Sequence, residues 1–427
     1  MTTSMLSPLR LTPMAIGGEL TQRQQLNRHG ATLAILATLF LLLACSTEPT
    51  QLDDLAAKNV RSVERSVGFD GEVVRLGVIA DITGPGASLD RSRIAGVSAY
   101  WADVNAQGGI GGRYAVELEI IDHQGDPQIA ENSATELLER VVAFAFINET
   151  AMGALHPFLV AQEVLGVAAS STLDWEQDAR FLTHGPPIEL ITLALFENEP
   201  QSRWCLITDD SPLGTVARKS ADQAATLAGV ASVTSIQIGE DLATAVSAAA
   251  CEVIWAEVAE ENRQLLISTL PPSVRVIQQA GLTGVDNSRP DLKLAYTDSG
   301  PAWKVDASQG MRMFLSALLR HAPDIEADTR ARDGYVSQIR LHQLLEKSVN
   351  RGDLRRANIF TASQSQSLIK MDGLAENIDI SLEEPILPRS ITVRAREDDL
   401  EADERGWTTK DNLRPRNASL LIERLRD

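Results

Sequence analysis

The chain has 427 residues, a formal charge of −19, 44% hydrophobic residues and only 4% aromatic residues. Its length suits two domains of ordinary size, and its apolar share is enough for a sizeable core. The negative charge repels nucleic acid and anionic head groups, so neither is an expected partner, and so few aromatics argue against an aromatic ligand cage.

Residues 31–43 form the one long apolar run. It follows Arg23, Arg28 and His29 and leads through Leu42, Leu43 and Ala44 to Cys45. A basic start, an apolar middle and a small-residue exit describe a secretory signal, and the run is shorter than the roughly 20 residues a membrane span needs. The exit looks like a bacterial lipobox, which implies cleavage before Cys45 and acyl chains such as palmitate on its lipidated sulfur. An uncleaved anchor and an ordinary signal with an incidental cysteine are the other readings. Residues 1–44 are thus expected to be a signal peptide, with Met14 as an alternative start. Cys45 is expected to hold the chain on the extracytoplasmic face of a membrane. Ser46 resembles the sorting residue of outer-membrane lipoproteins. Residues 45–71 are polar, lack a periodic apolar face and read as a tether.

Strands and helices then alternate. An apolar strand at 74–80 runs into the turn-rich Asp81 to Gly86. Ile94, Val97, Trp101 and Val104 recur at helical spacing over 91–105, and Gly108 and Gly109 stop that helix. Strands follow at 114–121, 141–147 and 166–170, separated by helices at 127–140 and 153–164. The pattern breaks at 183–187 and restarts with a helix at 188–198, a strand at 203–208 and a helix at 213–227. Strands at 233–238, 253–258 and 292–296 and helices at 309–320 and 335–349 complete it. This alternation specifies parallel sheets covered on both faces. The last 35 or so residues are rich in Arg, Asp and Glu and read as a solvated helix or frayed tail. Cys205 and Cys251 both fall on strands. Two buried free thiols are the simpler expectation, and an oxidising compartment also permits a disulfide. Trp101, Trp255 and Tyr296 fit the core better than a ligand cage.

Several pieces recur in a specific order: Asp81-Ile82-Thr83-Gly84-Pro85, then Arg93-Ile94-Ala95-Gly96, Val104 to Arg113 with its four glycines, and Asp122-His123-Gln124-Gly125-Asp126-Pro127. Over about 110 residues this resembles the type I solute-binding proteins of bacterial transporters, especially the branched-chain amino-acid group. The likeness continues more loosely to Val349, with Asp333-Gly334-Tyr335 opening a long helix. It implies an α/β fold of two Rossmann-like lobes with parallel central sheets joined by a multi-strand hinge. The corresponding spans are lobe 1 at 72–186, lobe 2 at 187–308, return helices to lobe 1 at 309–360, and C-terminal strands with a polar tail at 361–427.

The resemblance also implies a ligand site between the lobes, where strand ends and helix N-termini converge. Thr83 follows the first strand. Thr150 and Ala151, then Ser170, Ser171 and Thr172, follow the third and fourth strands and are expected to meet a ligand carboxylate. Any of the hydroxyl residues could instead be a helix cap. In the second lobe the strand-end carboxylates are Asp210, Glu257 and Asp298, and Asp298 is expected to meet an ammonium. Leu213-Gly214 and Ser88-Leu89 stand where the family usually has aromatics, and Glu149 enters the loop meant to receive an anion. A cationic, peptide-like or sugar-like ligand therefore stays open beside an amino acid.

The function implied is capture of a small polar solute for an ABC transporter, with permease subunits as partners. The departing residues leave a second reading, an envelope lipoprotein of the same fold that binds or regulates another envelope protein. No enzyme activity, cofactor or metal is expected. Gly108 to Gly112 follow a helix and precede a strand, the reverse of a dinucleotide loop, and neither a Gly-x-Ser-x-Gly elbow nor a His-Glu-x-x-His motif occurs.

Overall fold

The structure is a computed structural model and describes residues 62–239, 241–272, 274–279, 289, 291–380, 387–395 and 407–426. Cys45, the signal-like run and the tether up to residue 61 lie outside these residues. Five strands build the first sheet: β1 (Val73–Ala80), β2 (Ala115–Asp122), β3 (Ala143–Ile147), β4 (Gly166–Ala168) and β5 (Phe181–Leu182). Their order is β2-β1-β3-β4-β5 and every pair is parallel. Strand side chains alternate between faces. Leu76, Val78, Ala143 and Ala145 share a core with α1 (Ala87–Ala106). Ile79, Phe144 and Ile147 pack instead with α2 (Pro127–Leu138) and α3 (Glu149–Ala161). A short helix, α4 (Leu173–Gln177), precedes β5.

The second lobe begins with α5 (Ile188–Asn198). Its parallel strands are β6 (Trp204–Thr208), β7 (Val233–Gln237), β8 (Val253–Glu257), β9 (Arg275–Gln279) and β10 (Lys293–Asp298). Trp204, Leu206 and Trp255 face α5 and α6 (Pro212–Ala228), and Cys205, Ile207 and Ile254 face α7 (Leu242–Ala249) and α8 (Glu260–Thr269). The chain then returns to the first lobe. There α9 (Gln309–His321), α10 (Thr329–Arg351) and α11 (Arg356–Gln364) place Phe314, Tyr335, Leu345 and Ile359 in the core of α1. The small ladder of β11 (Leu368–Ile369) and β12 (Ile378–Asp379) completes that core. A last crossing brings β13 (Ile391–Ala395) and β14 (Thr408–Leu413) antiparallel onto β10, and α12 (Ala418–Arg426) buries Leu421 in the second lobe. The chain thus passes between two α/β lobes three times.

The structure corrects several sequence expectations. The tether is shorter than 45–71, because Val63 and Phe69 are buried in the first core and Ser66 bridges Phe69. Of the two readings of the charged C-terminus, the helix holds at Ala418–Arg426, largely exposed, and the frayed tail does not over 407–426. There β14 edges the sheet, and Glu197 accepts hydrogen bonds from the Arg416 and Asn417 N–H groups, which fixes the start of α12. Cys205 on β6 and Cys251, two residues before β8, are joined in a disulfide, not held as free thiols. Trp101, Trp255 and Tyr296 are buried in the cores.

Backbone meets backbone closely where α1 crosses α10 in the first lobe. A Cβ on Gly96 would sit 1.9 Å from the Ala331 carbonyl oxygen, and one on Gly334 would sit 2.0 Å from that of Arg93. No side chain can yield there, because both obstacles are backbone. Gly334→Ala is therefore expected to lower stability by about 2–3 kcal/mol, read as a lower midpoint in chemical denaturation with soluble protein still recovered.

Candidate ligand-binding cleft

Sequence places short turns at the carboxyl ends of the parallel strands, and the fold gathers those turns from both lobes. Ala169, Ser170 and Ser171 follow β4, and His184, Gly185 and Pro186 follow β5. Gln279 ends β9, and Thr297, Asp298, Ser299 and Gly300 end β10. The first turn of α10 closes the ring with Thr329, Arg330, Arg332 and Asp333, and Arg93 enters from α1. These residues line a half-open cavity of about 110 Å³ between the lobes, with Ile191, Val336, Leu374 and Ile391 as its apolar wall. A crevice at strand ends is where open parallel sheets bind ligands.

Ion pairs organise the walls. Asp298 is 4% exposed in its side chain; Arg332 donates to one oxygen at 2.5 Å and Arg394 to the other at 3.2 Å. Burial alone would raise the Asp298 carboxyl, but these two guanidinium groups hold it below its ordinary value. Arg332 also lies over the Trp303 ring, 4.9 Å from its centroid. His184 Nε2 is 2.7 Å from Asp333 Oδ1, and Arg93 Nε is 3.6 Å from the other Asp333 oxygen. Arg93 donates to Glu149 at 2.9 Å. Across the cleft, Glu260 at the start of α8 accepts from Ser88 and from Arg330, each at 3.3 Å. The lobes are thus in direct polar contact.

Some buried polar atoms in these walls find no hydrogen-bond partner among the described residues. They include Thr329 Oγ1, Ser171 Oγ, His184 Nδ1 and Arg93 Nε; Thr329 is 5% exposed and His184 7%. Buried polar groups are normally paired, so unpaired polar atoms grouped around one cavity mark where a ligand or water completes the structure.

Of the sequence-proposed residues, Ser170, Ser171 and Asp298 line the cavity. Both Asp298 oxygens are already engaged by arginines, so it offers no free carboxylate for an ammonium. Thr172 caps α4 by accepting from the Trp175 N–H, and Ala151 lies in the core behind β3. The Thr150 N–H is used by Asn148, the N-cap of α3. The Thr83 hydroxyl donates to Asp122 at 2.5 Å at an exposed position, and Asp210 is exposed beside Arg218. Thr172, Ala151, Thr150, Thr83 and Asp210 are therefore all off the cavity wall. Glu149, which would repel an anion if free, is instead matched by Arg93.

Thr329, Arg330, Arg332 and His184 are cleft residues that the sequence reading did not single out. The signal for the first three was Asp328, a helix cap accepting from the Ala331 N–H about two turns before the expected start of α10. His184 sat in the unexplained break at 183–187. Among the described residues no group of His, Cys, Asp and Glu could hold a metal ion.

Glu257 ends β8 deep in the second lobe, off the cavity wall, with Oε2 unpartnered. Burial first, then repulsion from Asp209 and Glu149, pushes its carboxyl up to about 8, against the opposing pull of Arg263 and Arg93. Because the folded value exceeds the unfolded one, the favourable contribution is complete near pH 4.5 and is lost as pH rises toward 8. Glu257→Gln should therefore flatten this slope. Its melting temperature should match the parent near pH 4.5 and exceed it by about 3 °C at pH 8 in thermal unfolding across that range.

Two α/β lobes, three chain crossings and a polar cavity at their junction define a two-lobed solute-binding protein. Residues 73–362 match the family model described as periplasmic binding protein, and the chain belongs to that family. Its fold is the type I arrangement that the first-lobe motifs implied. Among solved structures it is similar to the fatty acid ABC transporter substrate-binding protein from Thermomonospora curvata, with TM-score 0.74, 16% identity, and 84% of this chain and 96% of that chain covered. It is also similar to a leucine binding protein from Thermotoga maritima, with TM-score 0.63, 14% identity, and 80% and 99% covered. A solute binding protein from R. palustris in complex with benzoate gives TM-score 0.64, 14% identity, and 80% and 97% covered. No curated protein sequence matches the chain.

Proposed function

We propose that this chain is an exported, lipid-anchored solute-binding protein that captures a small polar solute between its lobes and delivers it to an ABC permease. The observation that carries this reading is the interlobe cavity, walled by strand ends of both lobes and holding buried hydroxyl and imidazole atoms without partners. A ligand there touches both lobes at once, so it stabilises the closed arrangement by its differential affinity for it. The family is extracytoplasmic, and among the described residues no helix is long and apolar enough to cross a membrane. The disulfide fits an oxidising compartment. Leucine, a fatty acid and benzoate, named for the similar structures, differ in size and polarity. The ligand of this chain is therefore read from its own residues.

A set of polar metabolites tested by thermal shift should contain one that raises the melting temperature saturably. A ligand at a hundred times its Kd adds about 2.7 kcal/mol of stability, a shift of several degrees. A flat response to every solute would overturn the transport reading. Attachment is tested separately. Cys45→Ala is expected to move the protein from the membrane to the soluble fraction and to abolish labelling by radioactive palmitate, and membrane retention with unchanged labelling would rule out the anchor.

A further inference from the structure

We propose that Glu260 is a reversible latch between the lobes, a carboxylate at the start of α8 that holds the cleft shut by gripping α1 and α10. Three features separate it from an incidental surface ion pair. The first is where it crosses. Ser88, the second residue of α1 and one of those standing in place of the family's aromatics, donates to Glu260 Oε1 at 3.3 Å. Arg330, in the first turn of α10, donates to Oε2 at 3.3 Å. One carboxylate of the second lobe thus meets two helices of the first. The Asp298–Arg332 pair also joins the lobes, but Asp298 ends the strand from which the chain crosses back, so that pair turns with the hinge. Glu260, Ser88 and Arg330 lie on none of the crossing segments, and their contact must break when the lobes part.

The second is how firmly each side is built. Asp209, just past β6, accepts from the Ala259 N–H at 2.6 Å and from the Asn262 side chain at 2.8 Å, which fixes the first turn of α8. In the first lobe, Asp328 caps α10 through the Ala331 N–H at 2.7 Å and accepts from the Ser92 hydroxyl of α1 at 2.5 Å. The two helices that present Arg330 and Ser88 are therefore tied to each other. Side-chain exposure is 7% for Arg330 and 17% for Glu260, so salt screens the pair little.

The third is that the contact opens without stranding a carboxylate. Arg263, one turn along α8, lies 3.0 Å from Glu260 Oε2 within the same lobe. When the cleft parts, Glu260 keeps that partner, and Arg330, which lines the cavity, gains water. A contact made only in the closed arrangement raises the closed population, and with it the apparent affinity for whatever solute the closed cleft holds.

Small-angle X-ray scattering of the purified mature chain, with no solute added, reads the lobe spacing. Glu260→Ala should raise the radius of gyration by roughly 1 Å over a compact value of about 21 Å. Ser88 is exposed in the first turn of α1, so its variants leave both cores untouched and change the charge facing Glu260. Ser88→Asp should open the lobes as Glu260→Ala does, because it sets a second carboxylate against Glu260. Ser88→Lys should keep the parent radius. Glu260→Ala at the parent radius, or Ser88→Asp and Ser88→Lys at one common radius, would overturn the latch. If Glu260→Ala fails to fold, the Ser88 pair alone decides. Scattering needs no solute, so failure of the latch leaves the transport reading to its own thermal-shift test.

Discussion

Asp298 sits between Arg332 and Arg394, and the geometry of the cleft depends on this arrangement. Its carboxylate ends the last parallel strand of the second lobe, Arg332 comes from the helix that returns to the first lobe, and Arg394 comes from the strand laid down after the final crossing. Three segments far apart in sequence are therefore pinned at one buried point beside the hinge. All three charges are buried, so the arrangement holds only while each has its partner. Losing one partner of such a group typically costs 3–5 kcal/mol, because the remaining charge stays uncompensated. Gly300 is part of the same joint. A Cβ there would lie 2.4 Å from the Arg332 guanidinium carbon, so a side chain would push the arginine off its carboxylate.

This joint also sets the chemistry of the cavity. Once Asp298 is committed to two arginines, it cannot serve as the receptor for an ammonium, although its position at a strand end suggests that role. The same reasoning applies to Glu149, whose charge would repel an anion if Arg93 did not lie 2.9 Å away. Charges in this cleft act largely in pairs.

The parts of the fold that were legible in sequence are those whose burial is two-sided. β3, β6 and β8 are buried at every position, so each reads as an unbroken apolar run. β9, with Arg275 and two glutamines around Val276 and Ile277, and β14, with Lys410, Asp411 and Asn412, carry too little apolar signal to stand out. The α10 start escapes a sequence reading because its first turn is Thr-Arg-Ala-Arg-Asp, a charged stretch that looks solvated. Its arginines are nevertheless buried, because their partners come from other elements. Ser170 and Ser171 reach the cavity wall because they directly follow β4. Thr150 and Thr172 follow strands too, but at them caps of α3 and α4 consume the local hydrogen bonds.

The sequence alone determined the α/β class, the likeness to two-lobed binding proteins and the signal-like segment ending at Cys45. Those properties rest on local periodicity, turn residues and motif order, which operate within a few tens of residues. The tertiary structure decided the pairing of Cys205 with Cys251, the place of 407–426 on the second sheet and the partners of each cleft charge. Each of these depends on contacts between segments far apart in sequence, as Arg93 and Asp333 are. No local pattern can encode which arginine will reach which carboxylate when the lobes come together.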